Sequence, residues 1–122
     1  MERHKILYVD DEPTNLMLFE INLKNKYNVL TVENGMDGLQ LLEDNSDIKV
    51  VISDMKMPKM NGIVFIEKAK EINPQMKCFI LTGYGVTSEI EEAVKNRLII
   101  NCLSKPFEMN KIDLEIIKAI NN

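Results

Sequence analysis

The stretch Val50-Val51-Ile52-Ser53-Asp54-Met55-Lys56-Met57-Pro58-Lys59-Met60-Asn61-Gly62 decides the fold. Its first three residues are β-branched and apolar, the composition of a short strand buried on both faces. The strand ends on one carboxylate, Asp54. Pro58 cannot donate to a ladder and Asn61-Gly62 is a turn signal, so a loop follows. In an open parallel α/β sheet, ligands bind beyond the carboxyl ends of the strands. Asp54 is therefore a candidate reactive group, with a helix N-cap or turn aspartate as the simpler alternative.

On the N-terminal side of this stretch, Ile6 to Val9 reads as a strand stopped by Asp10-Asp11-Glu12-Pro13. Pro13 suits a first helical turn, where the N–H it lacks would have no intrahelical partner. A helix from Thr14 to about Lys26 follows; Leu16, Met17, Phe19, Ile21 and Leu23 fit a 3.6-residue period only loosely. Val29 to Val32 is a second strand, and Asn34-Gly35 turns the chain. Met36, Leu39, Leu41 and Leu42 mark a helix closed by the polar turn Asp44-Asn45-Ser46-Asp47.

On the C-terminal side, Ile63, Phe65, Ile66, Ala69 and Ile72 recur at helical spacing up to Pro74. Cys78 to Leu81 is strand four, ended by Thr82-Gly83-Tyr84-Gly85. Ser88 is the expected N-cap of a helix carrying Ile90, Ala93 and Val94, with Glu91 completing a capping box. Leu98 to Leu103 is strand five, broken by Ser104-Lys105-Pro106-Phe107. Asn110 to Ile120 is a last helix with Ile112, Ile116, Ile117 and Ile120 on one stripe. Strands and helices alternate at spacings too long for hairpins. That pattern predicts an α/β fold: a doubly wound five-stranded parallel sheet with five helices packed on its two faces.

The 122 residues make one domain, 1–122, without repeats, linkers or an effector domain. A net charge of −4 argues against direct nucleic-acid binding, which needs a basic face. No apolar run approaches the ~18 residues of a membrane span, and Met1 to Lys5 leaves no room for a signal peptide. Cys78 and Cys102 sit in apolar runs without a CxxC or a His cluster, so they read as reduced thiols of a cytoplasmic protein.

Four of the five strands place a chemical group at their carboxyl ends: Asp10 and Asp11 from strand one, Asp54 from strand three, Thr82 from strand four, Lys105 from strand five. Taken singly, each has a plain explanation. The acid pair favours a helix start, Thr82-Gly83 is a turn, and Lys105 is a solvated lysine before a proline. Together they converge on one sheet edge. Crowded carboxylates raise one another's pKa; Lys105 and a hard divalent cation such as Mg²⁺ would relieve them. A hydroxyl, an ammonium and Mg²⁺ around an acceptor carboxylate suit phosphoryl transfer, which needs positioning and charge neutralisation above all.

The segments Leu7-Tyr8-Val9-Asp10-Asp11-Glu12, Ser53 to Gly62, Leu81-Thr82-Gly83-Tyr84 and Ser104-Lys105-Pro106-Phe107 resemble the receiver domain of bacterial two-component response regulators. The likeness spans essentially the whole chain. It implies a flavodoxin-like strand order 2-1-3-4-5 and phosphorylation of Asp54 by a histidine kinase or phosphotransfer protein. It also implies Mg²⁺ held by Asp11, Asp54 and the Lys56 backbone carbonyl, with Asp10 in the metal shell directly or through water. Thr82, Lys105 and the Gly83 N–H would bind phosphoryl oxygens, and Lys105-Pro106 would be cis. A downstream effector, a separate effector domain or a second copy of the chain would read the switched surface. The domain would catalyse only its own phosphorylation and dephosphorylation. Thr82, Tyr84 and Cys102 form the expected switch region. Cys102 departs from the family, in which many members carry Tyr or Phe three residues before the strand-five lysine. Lys56 and Tyr84 occupy variable positions linked to phosphoryl lifetime.

Three rival functions fit less well. An aspartyl phosphatase would typically carry a second acid two residues after its nucleophile, where this chain has Lys56. A flavin module would need a Gly/Ser/Thr-rich loop where Asp10-Asp11-Glu12 stands. A degenerate receiver would lack site residues, and all five site positions are filled.

Overall fold

The structure is a computed structural model and describes residues 3–121, so expectations touching Met1, Glu2 and Asn122 lie outside it. Five strands and five helices alternate. They run β1 (Lys5–Val9), α1 (Pro13–Leu23), β2 (Asn28–Val32), α2 (Gly35–Asp44), β3 (Ile48–Asp54), α3 (Gly62–Ile72), β4 (Lys77–Thr82), α4 (Ser88–Lys95), β5 (Asn101–Ser104) and α5 (Met109–Asn121). All strand pairs are parallel, in the order β2-β1-β3-β4-β5. The doubly wound sheet expected from the alternation and the flavodoxin-like strand order implied by the resemblance are the observed ones.

Period-2 alternation along the strands feeds two cores. Leu7, Val9, Val51 and Ile80 pack on one face with Leu42 of α2, Phe65 and Ile66 of α3, and Ile90 of α4. Ile6, Tyr8, Val50, Ile52, Phe79 and Leu81 pack on the other with Leu16 and Phe19 of α1 and Ile112 and Ile116 of α5. Val50, Val51 and Ile52 are fully buried, as a central parallel strand requires.

The boundaries correct the sequence reading at several points. α1 stops at Leu23, and its inward stripe is Leu16, Phe19 and Leu23. Met17 and Ile21 are exposed, which is why the apolar period looked loose. In α5, Ile112 and Ile116 are buried but Ile117 faces out. Both Asn-Gly pairs start helices rather than reverse turns: Asn34 accepts from the Asp37 N–H at 2.8 Å and Asn61 from the Val64 N–H at 2.9 Å. Thr87, not Ser88, caps α4, its Oγ1 accepting from the Ile90 N–H at 3.2 Å. Ser88 is then the first helical residue, so Glu91 stands one position too far along for a capping box.

β5 is shorter than its apolar run. The N–H groups of Leu98 and Ile99 both donate to the Ala93 carbonyl and close α4. Arg97 takes the left-handed conformation (φ 63°) that this closure requires. Only at Ile100, whose N–H donates to the Cys78 carbonyl, does the chain join the sheet.

Candidate functional site

Strand register brings the predicted residues together. Val9 pairs with Ser53, so Asp10 follows at the level of Asp54. Asp54 pairs with Leu81, which puts Thr82 one step beyond it, and Thr82 pairs with Ser104, which delivers Lys105 next. Among the described residues the buried polar or charged side chains are Asp10, Ser53, Asp54 and Thr82. Three of these four belong to the expected site, and burying charge is costly unless a function or a partner holds it there.

Asp10 is fully buried and well supplied with donors. Its Oδ2 accepts from the Tyr8 hydroxyl (2.5 Å), Asn15 Nδ2 (3.2 Å) and Lys105 Nζ (3.0 Å). Its Oδ1 accepts from the Glu12 N–H at 3.0 Å. The same Lys105 ammonium lies 3.3 Å from Asp54 Oδ1, bridging the two acids. Burial pushes the Asp54 carboxyl up, Asp10 pushes it further, and Lys105 opposes without cancelling them. Burial alone would lower the Lys105 ammonium, but Asp10 and Asp54 outweigh it and hold the pKa above the ordinary lysine range. Burial, then the Asp10 hydrogen bond, raises the Tyr8 phenol, which therefore stays a proton donor.

Asp10, Asp11 and Asp54 each present a carboxylate oxygen, all within 4.8 Å of one another. An all-oxygen donor set with one exposed member, Asp11, fits a hard divalent cation that keeps several waters. Gly62 lets α3 start against this edge: a Cβ there would stand 2.3 Å from the Asp54 carbonyl oxygen. Its N–H donates to the Met55 carbonyl at 2.9 Å, which closes the loop after the acceptor strand.

On the β4 side, Thr82 Oγ1 accepts from the Tyr84 N–H at 3.1 Å, leaving its hydroxyl proton free to point elsewhere. Gly83 borders Lys105, with room for a methyl group at 3.7 Å. The Lys56 ammonium lies 4.2 Å from the Tyr84 ring centroid, a cation–π contact joining the loops after β3 and β4. Lys105-Pro106 is cis, as the resemblance implies. Cys102 is partly buried on β5 and stands apart from the acid cluster, beside a cavity of about 420 Å³ that Leu103 and Ile112 also line.

Sequence reading missed Tyr8, Asn15 and the Lys56–Tyr84 contact. A signal for Tyr8 existed: it is the one hydroxyl-bearing residue of β1 and stands two positions before Asp10, on the same side of an extended chain. Asn15 and the cation–π pair join residues on different elements and left no such trace.

The family model of the response regulator receiver domain matches residues 6–117. The chain belongs to that family. The receiver domain is 32% identical over 114 residues to sporulation initiation phosphotransferase F of Bacillus subtilis, covering 92% of this chain and 90% of that protein. It is 31% identical over 124 residues to chemotaxis protein CheY1 of Helicobacter pylori strain J99, covering 97% of this chain and 99% of that one. Against transcriptional regulatory protein GlrR of Escherichia coli K12 the identity is 31%, but the match spans only 26% of that longer protein. Among solved structures, a response regulator receiver domain protein from Clostridium thermocellum superimposes with a TM-score of 0.85 at 36% identity, covering 96% of this chain and 94% of its own. A structure described as adenylate cyclase from Rhodopirellula baltica gives 0.92 at 32% identity, covering 98% and 88%. As a receiver domain the chain is a signalling domain of the two-component type, which implies a histidine kinase or phosphotransfer partner. No helix among the described residues is long and apolar enough to cross a membrane.

Proposed function

We propose that Asp54 of this receiver domain accepts a phosphoryl group from a phosphohistidine of its kinase or phosphotransfer partner, in the cytoplasm and with Mg²⁺. The observation that carries this reading is the shared Lys105: one ammonium within 3.3 Å of Asp54 and 3.0 Å of Asp10 at the sheet edge. An Asp54 carboxylate oxygen attacks phosphorus, the phosphorus–nitrogen bond to the imidazole breaks, and the imidazole leaves with that bond's electron pair. Lys105 already stands beside the nucleophile and follows the new negative oxygens. The Thr82 hydroxyl and the Gly83 N–H reach the same group once it exists. Water later hydrolyses the acyl phosphate, so the domain catalyses only its own modification and its reversal.

Asp11, Asp54 and the Lys56 carbonyl would hold the metal, with Asp10 in its shell directly or through water. When bound, Mg²⁺ neutralises charge on the transferring phosphoryl group. Residues 1–122 act as one phosphoacceptor unit, without direct contact to nucleic acid or membrane. The readers of its switched surface are a downstream effector, an effector domain joined to it, or a second copy.

Intact-mass measurement after incubation with acetyl phosphate and Mg²⁺ tests the assignment. The wild-type protein should gain one phosphoryl group, whereas Asp54→Asn, or wild type with a chelator, should gain none. Labelling of Asp54→Asn at the wild-type rate would sink it.

A further inference from the structure

We infer that Tyr8 is a positioning residue for the acid site. Its hydroxyl holds Asp10 so that one carboxylate oxygen serves the protein and the other faces the cation, and it keeps that orientation when Lys105 turns to the phosphoryl group. This rests on reading Asp10, Asp11 and Asp54 as a cation site.

The geometry is over-determined on the Tyr8 side. The residue is fully buried. Its ring stacks on Phe19 of α1 at 4.3 Å between centroids and meets the Phe107 ring edge-on at 6.0 Å. With the ring clamped between α1 and the segment after β5, the hydroxyl has a fixed address, Asp10 Oδ2 at 2.5 Å. A buried tyrosine hydroxyl in an otherwise apolar cluster needs such a partner.

The carboxylate is divided unequally. An ionised carboxylate offers about four acceptor sites, two on each oxygen. Oδ2 already takes three donors, from Tyr8, Asn15 and Lys105, whereas Oδ1 takes only the Glu12 N–H. Oδ1 is therefore the oxygen with capacity left for a metal ion or its water. Lys105 is the one donor on Oδ2 that is shared, because it also reaches Asp54 Oδ1 at 3.3 Å. If it follows a phosphoryl group on Asp54, Oδ2 retains Tyr8 and Asn15. Without the Tyr8 hydroxyl, Oδ2 would keep Asn15 alone and Oδ1 the Glu12 N–H, and a buried carboxylate with one donor on each oxygen is held less firmly.

Tyr8→Phe removes the hydroxyl and keeps the ring. Isothermal titration of the unphosphorylated protein with Mg²⁺ should show the Kd raised about tenfold, the usual scale for one hydrogen bond to a charged group. Phe19→Leu, which loosens the ring stack but spares the hydroxyl, should stay within about twofold of wild type. In wild type, the Tyr8 Cζ carbon resonance should also move on Mg²⁺ saturation, since its acceptor gives up charge to the ion; this readout needs no variant. Equal Mg²⁺ affinity in Tyr8→Phe, an equal loss in Phe19→Leu, or a stationary Cζ resonance would each overturn the assignment while leaving the cation site intact. Absence of Mg²⁺ binding by wild type would instead remove the cation site, and the role of Tyr8 with it.

Discussion

The surroundings of Asp54 disfavour its charge. Burial and the neighbouring Asp10 raise its folded-state pKa despite Lys105. A raised folded pKa means that the folded chain binds the proton more tightly than the unfolded chain, so stability falls as pH rises from the unfolded carboxylate value, ~3.9, through the folded one. At neutral pH without metal, the ionised acceptor therefore opposes folding. Asp54→Asn should melt a few degrees above wild type at neutral pH, and the gap should close as pH drops below the carboxylate range. Calorimetric melts across that range check it; a lower melting point for the asparagine variant at neutral pH would show that the Lys105 pairing outweighs desolvation. Asp10, Asp54, Thr82 and Lys105 could be named from the sequence because each falls where an apolar run ends. Of the donors that fix Asp10, Tyr8 left a trace in its spacing, two positions before the acid, whereas Asn15 left none, because its partnership depends on side-chain direction.

At the scale of elements, helix starts were harder to place than helices. Val86-Thr87-Ser88 offers two adjacent hydroxyls, and only the backbone decides which is extended. Thr87 sits at φ −96°, ψ 169° and caps; Ser88 is already helical. Thr87→Ala should cost about 1 kcal/mol of stability, whereas Ser88→Ala should fall within about 0.5 kcal/mol of wild type. Urea denaturation of the two variants measures this, and a larger loss at Ser88 would reverse the cap assignment. The same limit applies to β5. Leu98 and Ile99 have strand composition, yet their N–H groups close α4, because a chain leaving a helix must satisfy its last carbonyls before it can pair.

On the scale of the whole molecule, the face built by β5 and α5 carries the partly buried Cys102. Cys102 borders the cavity of about 420 Å³ there, and a thiol is too small to occupy it as an aromatic ring would. α5 is meanwhile tied to the chain between α1 and β2: the Tyr27 hydroxyl donates to Asp113 Oδ1 at 2.7 Å, and Lys26 pairs with the other oxygen. We therefore expect activation to move the Thr82–Thr87 loop and α4, with Cys102 a bystander at the margin. Cys102→Ala should phosphorylate and switch nearly as wild type. The Cys102 alkylation rate in wild type should change on adding beryllofluoride and Mg²⁺, since thiol reactivity follows exposure and local charge. Cys78 will not confuse that readout: it is buried and its thiol is pushed up to about 12. An unchanged rate would detach Cys102 from the moving surface, and loss of switching in Cys102→Ala would make it a participant.

The alternation of apolar runs, their lengths and the polar residue at each strand end determined the parallel α/β fold and the sheet edge that carries the chemistry. Those features are local, set by backbone period and by Pro and Gly, so a sequence displays them directly. The depth at which Asp10 is buried and the sharing of Lys105 between two acids were decided by tertiary structure alone. Each depends on register between strands that are distant in the chain and on which face of α1 and α5 covers the sheet. Register and facing follow from packing the whole core at once, and no stretch of residues carries them by itself.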